Sequence, residues 1–245
     1  MASRKKIRTK YGWFFNIVTK IFMIFKKKPY IYNLNEEDID ENAIIISNHS
    51  AASGPLTISL YFPTFFIPWG TFEMTEKYRG RWNYLYHIFY RQKLGYNKFK
   101  SFLLATLFGI ISKSLYNGMQ LIPTYGDFRL RATVDISKQY LDAGTSILIF
   151  PEDSDSGYHE ILLKYNPGFV YLSSYYYKKT GKDIPIYPMY FHKQSNAIII
   201  GKKSYINPLF EQGMDKYEIA EHYKNITNDL ALQLFTRLEN LKKRT

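Results

Sequence analysis

Four short runs of β-branched residues constrain this chain more than any other feature. Ala43-Ile-Ile-Ile-Ser47, Ser146-Ile-Leu-Ile-Phe150, Ile184–Phe191 and Ala197-Ile-Ile-Ile-Gly201 are largely apolar without alternation. A strand with one wet face alternates, whereas a strand apolar at successive positions needs cover on both faces. A weaker run spans Gln120–Pro123. Between the runs the period changes to that of helices. Asp127–Leu141 reads as a helix capped by Asp127 and closed by Gly144. Lys100–Tyr116 reads as a second, mostly apolar one. From Asp215 onward Ile219, Tyr223, Ile226, Leu230, Leu234, Leu238 and Leu241 recur at helical spacing. They predict a long closing helix whose Lys242-Lys243-Arg244 end suits the negative pole of its dipole. Strands alternating with helices predict an α/β fold, a single domain with a mixed, largely parallel sheet flanked by helices. The 245 residues, 46% hydrophobic, suffice for one large core. No Gly-rich nucleotide loop is present, and the lack of cysteine excludes a disulfide scaffold, a thiol nucleophile and Cys-bound metal.

The net charge of +12 is concentrated at one end. Residues 1–28 hold nine Lys or Arg and no acid, so the rest of the chain is nearly balanced. That distribution argues against a nucleic-acid footprint, and no nucleic-acid partner is expected. Within the arm, Tyr11–Phe25 reads as a helix with Tyr11, Phe14, Phe15, Val18, Phe22 and Phe25 on one side and Asn16, Thr19, Lys20 and Lys27 toward the other. Fifteen helical residues reach about 22 Å, short of the roughly 30 Å hydrocarbon core of a bilayer. Residues 1–32 are therefore expected to form a basic amphipathic segment lying on an anionic membrane, and residues 33–245 the α/β domain. The alternative is a helix packed on the core of the domain. The location expected is the cytoplasmic face of a membrane, peripheral or monotopic.

In α/β sheets reactive groups gather just past strand ends. Asn48-His49-Ser50-Ala51-Ala52-Ser53-Gly54-Pro55 follows the first isoleucine run, and Pro151-Glu152-Asp153-Ser154-Asp155 follows the run at 146–150. A neutral imidazole at His49 has the affinity to take a proton from a hydroxyl near neutral pH. Glu152, Asp153 and Asp155 supply too few ligands from a single loop for a metal site, and none is expected. No Gly-x-Ser-x-Gly elbow marks a serine hydrolase.

The two loops, in this order and about a hundred residues apart, resemble the blocks of the glycerolphosphate and lysophosphatidate acyltransferase family. That family has Asn-His followed by Asp-Pro, then Phe-Pro-Glu-Gly-Thr-Arg-Ser. Gly118-Met-Gln-Leu-Ile-Pro123, Asn166-Pro167-Gly168, Asp183-Ile-Pro-Ile-Tyr-Pro-Met189 and Ile200-Gly201 resemble its remaining blocks, so the likeness covers roughly residues 10–240. It implies transfer of a fatty acyl group from acyl-CoA or acyl carrier protein to a lipid hydroxyl, with no tightly bound cofactor. His49 would be the base and Glu152 would shape the acceptor site, with Asn48 and Pro151 as substrate contacts. Three positions depart from the pattern. Gly54 stands where the acid orienting the imidazole belongs, Asp155 stands where a phosphate-binding Arg belongs, and Thr124-Tyr125-Gly126 replace a second Arg. Arg129 and Arg131, a few residues later, are the candidates for that phosphate contact. Two readings follow. In one, the chain is an acyltransferase in which Asp153 or Asp155 replaces the missing acid. In the other, it is a non-catalytic relative that binds lipid or acts as a scaffold.

Overall fold

The isoleucine runs form strands in the middle of one sheet. A computed structural model describes residue 7 and residues 9–51, 53–153, 155 and 157–242. Arg4, Lys5, Lys6 and Arg8 of the basic arm, and Lys243-Arg244 at the other end, lie outside the described residues. In chain order the elements are α1 (Trp13–Phe25), β1 (Tyr30–Asn33), β2 (Ile44–Ser47), α2 (Ser53–Tyr61), β3 (Phe66–Thr71), a 3₁₀ turn (Phe72–Thr75), α3 (Tyr78–Asn83), a π-helical segment (Tyr84–Lys93), α4 (Lys98–Gly118), β4 (Ile122–Thr124), α5 (Leu130–Asp142), β5 (Ser146–Ile149), α6 (Gly168–Thr180), β6 (Ile186–His192), β7 (Ala197–Ile200), α7 (Asn207–Glu211) and α8 (Lys216–Lys242).

The sheet runs β1-β7-β6-β2-β5-β3-β4. Only the β6–β7 pair is antiparallel, so the sheet is mixed and mostly parallel. Every residue of β2, β5 and β7 is buried. Alternate residues explain why. Ile44 and Ile46 of β2 pack with α5, α6 and α8, while Ile45 packs with Ile58 of α2. The chain leaving β2 and the chain leaving β5 thus enter helices in different layers, which opens a crevice at their shared end.

α5 begins later than the sequence implies. Asp127 does not cap it; its carboxylate instead accepts from the Arg129 N–H at 2.9 Å and holds the Arg129 guanidinium. The N-terminal helix also differs from a free membrane anchor. Gly12 N–H donates to the Gly118 carbonyl at 2.7 Å, Tyr11 hydroxyl donates to the Phe66 carbonyl at 2.9 Å, and Phe15 is buried. Tyr11 and Phe15, assigned above to the membrane side, face the domain. Trp13, Ile17, Ile21 and Ile24 face out. The close approach of α1 to the end of α4 needs glycine, because a Cβ on Gly118 would lie 2.7 Å from Phe15 Cβ. Gly118→Val is expected to cost about 1–3 kcal/mol through overpacking. Faster amide exchange over residues 12–25 would report it, and unchanged protection there would contradict the docking of α1.

Candidate active site

Strand register delivers His49. β2 and β5 pair from Ile44 with Ile147 to Ile46 with Ile149. Carried past the strand ends, that register sets His49 opposite Glu152, and the backbone N–H of His49 donates to Glu152 Oε2 at 2.8 Å. Asn48 turns the other way. Its Nδ2 donates to the Phe191 carbonyl at 3.0 Å and its Oδ1 accepts from the Phe191 N–H at 2.8 Å. The buried amide therefore prolongs the β2–β6 ladder. Both ends of that amide serve the ladder, so Asn48 holds the loop in place where a substrate contact was expected.

After His49 the chain reverses through Ser50 and Ala51, whose φ values of 46° and 52° are left-handed. Such geometry costs an L-residue roughly 1–2 kcal/mol, a strain typical of functional loops. The reversal brings Gly54, in the first turn of α2, under the His49 carbonyl. A Cβ there would lie 2.3 Å from that oxygen and 3.1 Å from its carbon. Both are backbone atoms, so position 54 has no room for the acid that the family pattern places there.

The imidazole is held by rings. Tyr158 stacks on it with centroids 5.0 Å apart and planes at 18°, and Phe150 meets it edge-on at 5.0 Å. Its Nδ1 is buried and has no hydrogen-bond partner among the described residues. Burial pulls its pKa down to about 4; the charge of Lys93 pulls the same way, and the Ala51 backbone opposes. His49 is thus neutral at physiological pH. Glu152 is pushed up by burial, against the backbone N–H groups of His49 and His159. Its carboxylate fastens the two loops together. Pro151 is buried, and its carbonyl accepts from the Asn166 N–H at 2.7 Å.

The expected replacement acids point elsewhere. Asp153 accepts from the Asp155 N–H at 3.2 Å and from Lys164 Nζ at 3.1 Å, bonds that hold its pKa down, while Asp155 is exposed. Neither arginine is brought to His49. β4, which leads into Arg129, stands three strand positions from β2, about 14 Å across the sheet. Arg129 lies over the rings of Tyr125 and Phe72 and pairs with Asp127, and Arg131 acts electrostatically on Tyr175 of α6. The cation that does act on His49, Glu152 and Asp153 is Lys93.

His49 lines a cavity of about 370 Å³. Its walls come from α1 (Phe15, Phe22), α2 (Leu56, Ser59), β3 (Trp69), α4 (Phe108, Leu115) and the π-helical segment. The last supplies Tyr84-Leu85 and, five residues on, Phe89-Tyr90, the repeat that a π-helix stacks on one side. Burial raises the phenol pKa of Tyr84 and Tyr90, so both hydroxyls stay neutral. A search for 3.6-residue periodicity passes over such a segment, and Tyr158 had no sequence signal at all.

The neutral imidazole makes a pH prediction. Between pH 6.5 and about 4 the unfolded chain binds a proton at His49 that the folded chain does not, so stability falls as pH falls. The loss accumulates to about 3 kcal/mol by pH 4. Glu152, whose raised pKa acts in the opposite sense, is common to native protein and a His49→Phe variant. The urea midpoint of native protein should therefore fall relative to the variant's as the pH drops from 7.5 to 4.5. Parallel curves would mean that His49 titrates normally.

No family model matches the chain, and no curated protein matches it. Among solved structures, the crystal structure of the 1-acyl-sn-glycerophosphate (LPA) acyltransferase, PlsC, from Thermotoga maritima is similar to it. The two share 13% identity over 90% of this chain and 79% of that chain, with a TM-score of 0.49.

Proposed function

We propose that this protein transfers a fatty acyl group from a thioester carrier, acyl-CoA or acyl carrier protein, to a lipid hydroxyl at a membrane surface. The observation that carries the reading is a neutral imidazole lining a cavity whose walls are almost wholly apolar. A cavity of that kind takes a hydrocarbon chain. The imidazole beside it takes the acceptor's proton as the hydroxyl oxygen bonds to the thioester carbonyl carbon. Collapse of the tetrahedral intermediate breaks the carbon–sulfur bond, and the imidazolium returns the proton to the departing thiolate. Glu152 keeps the His49 backbone in register, and the charge of Lys93 acts on both His49 and Glu152. With neither Arg129 nor Arg131 at His49, a phosphomonoester is not required of the acceptor. The anionic membrane surface and the cytoplasmic face belong to the same proposal, supported by the basic, acid-free N-terminal segment.

A specific observation favours a second reading, a non-catalytic lipid binder. Nδ1 of His49 has no carboxylate behind it, and in the serine-protease template spoiling that group costs about 10⁴ in rate. One assay separates the two. Purified protein receives palmitoyl-CoA or palmitoyl carrier protein with phosphorylated and unphosphorylated lysolipids in vesicles, and ester product is followed by mass spectrometry. Product above the protein-free blank supports transfer. Saturable retention of palmitate without product supports the lipid binder.

A further inference from the structure

α4 is built inside out. Its inward side carries Ser101, Ala105, Gly109 and Ser112, all buried. Small residues let α3 come close, and the buried Arg81 donates from Nε to Ser112 Oγ at 3.1 Å and from Nη2 to the Gly109 carbonyl at 3.1 Å. Its outward side carries Phe99, Phe102, Leu103, Leu107, Ile110 and Ile111, all exposed, Phe99 by 79%. A helix at a water-facing surface has the reverse arrangement. The outward residues of α1, Trp13, Ile17, Ile21 and Ile24, lie on the helix that packs against α4, so the two helices present an apolar patch together.

Charge says what covers that patch. From Lys77 to Gly126 the sequence contains neither Asp nor Glu, and the same is true from Met1 to Asn35. Lys98 and Lys100 stand at one end of the apolar stretch of α4, Lys113 near the other, and Lys20, Lys27 and Lys28 on or beside α1. A surface apolar in the middle, carried by segments whose only charges are basic, complements anionic headgroups over hydrocarbon. The geometry points to α4 and α1 as one docking face for an anionic phospholipid bilayer, with α4 lying in the plane of the interface. α4 has the length to span a membrane. However, the stretch free of charge between Lys100 and Lys113 covers only about 18 Å. Both ends of α4 also continue into the same domain, through the π-helical segment and β4. The cavity wall adds continuity, since Phe22 of α1 and Ile111 of α4 are exposed on this face and also line the cavity. This inference rests on the membrane-surface reading proposed above, adds α4 to the docking face, and requires no turnover.

The absence of cysteine makes a clean test possible. Leu107→Cys and Ile110→Cys on α4, and Tyr177→Cys on α6 as control, each receive one environment-sensitive fluorophore on the full chain. Vesicles of phosphatidylcholine alone, or of equal parts phosphatidylcholine and phosphatidylglycerol, are then added. The Leu107 and Ile110 probes should brighten and shift to the blue on the anionic vesicles and be quenched by lipids brominated in their acyl chains, with the Tyr177 probe unchanged. A Phe102→Glu, Leu107→Glu double variant should bind these vesicles about tenfold or more weakly. The proposal is overturned if the protein co-sediments with vesicles while both α4 probes stay silent, if all three probes respond alike, or if native protein ignores both vesicle types. It is also overturned if the α4 probes shift with protein concentration before any lipid is added, which would put a second copy of the chain on the face. Acyl transfer enters none of these readouts, so loss of the reaction and loss of this face are separate results.

Discussion

Replacing Gly54 by aspartate is expected to damage the protein and to leave any acyl transfer unimproved. In the family pattern this is the change that restores the acid behind the imidazole. Here the β-carbon of the new residue would meet the His49 carbonyl oxygen at 2.3 Å. Backbone cannot swing aside as a side chain can, so either α2 moves or the Ser50-Ala51 reversal opens. Both routes displace His49. A cost of about 3 kcal/mol is expected from forced overpacking, visible as a lower urea midpoint. Gly54→Ala isolates the steric part, since it adds the carbon without the charge, and should be nearly as destabilising. If Gly54→Asp were instead as stable as native protein and faster, the loop would have the room that the structure denies it.

His49→Ala is expected to reduce acyl transfer by about 10²–10⁴, the usual contribution of a positioned general base. Its stability at neutral pH should change by less than the loss of a core residue, because the half-buried ring lines a cavity and stacks on Tyr158. Retention of palmitate should persist, since the other walls remain. Undiminished transfer by His49→Ala would place the chemistry elsewhere. The native rate itself should be modest. A base held near pKa 4, with no partner on Nδ1, accepts a proton less readily than one poised near neutrality.

The centre of the fold was legible because its signal is local and repeated. Ile44-Ile45-Ile46 and Ile147-Leu148-Ile149 announce strands covered on both faces, and they pair with each other. β3 was not legible. Its Phe66-Ile-Pro-Trp-Gly-Thr run contains a proline and a glycine, which weigh against a strand in sequence. In the structure a Cβ at Gly70 would lie 2.5 Å from Leu121 Cδ1, so a larger residue there would push that side chain aside. α6, with three consecutive tyrosines and two serines, has low helix propensity and is held by burial of Phe169, Val170, Leu172 and Tyr176. At the site, His49 and Glu152 were identifiable because they sit two and three residues past the ends of strands whose register couples them. What the side chains do was not. Asn48 bonds backbone, Asp153 bonds Lys164, and Tyr158 arrives from a loop with no periodic pattern. Those outcomes depend on tertiary contacts that spacing along the chain does not encode.

Whether an acyl chain occupies the cavity beside His49 is decided by photolabelling. Palmitoyl-CoA carrying a diazirine near the end of its chain is irradiated with the native protein in vesicles, and the modified residues are mapped by mass spectrometry. Labels are expected on cavity walls contributed by the π-helical segment, α1 and α4, at Phe89, Phe22 or Leu115, suppressed by excess palmitoyl-CoA. Labels confined to exposed residues, or labels on the walls that excess palmitoyl-CoA leaves untouched, would contradict that occupancy.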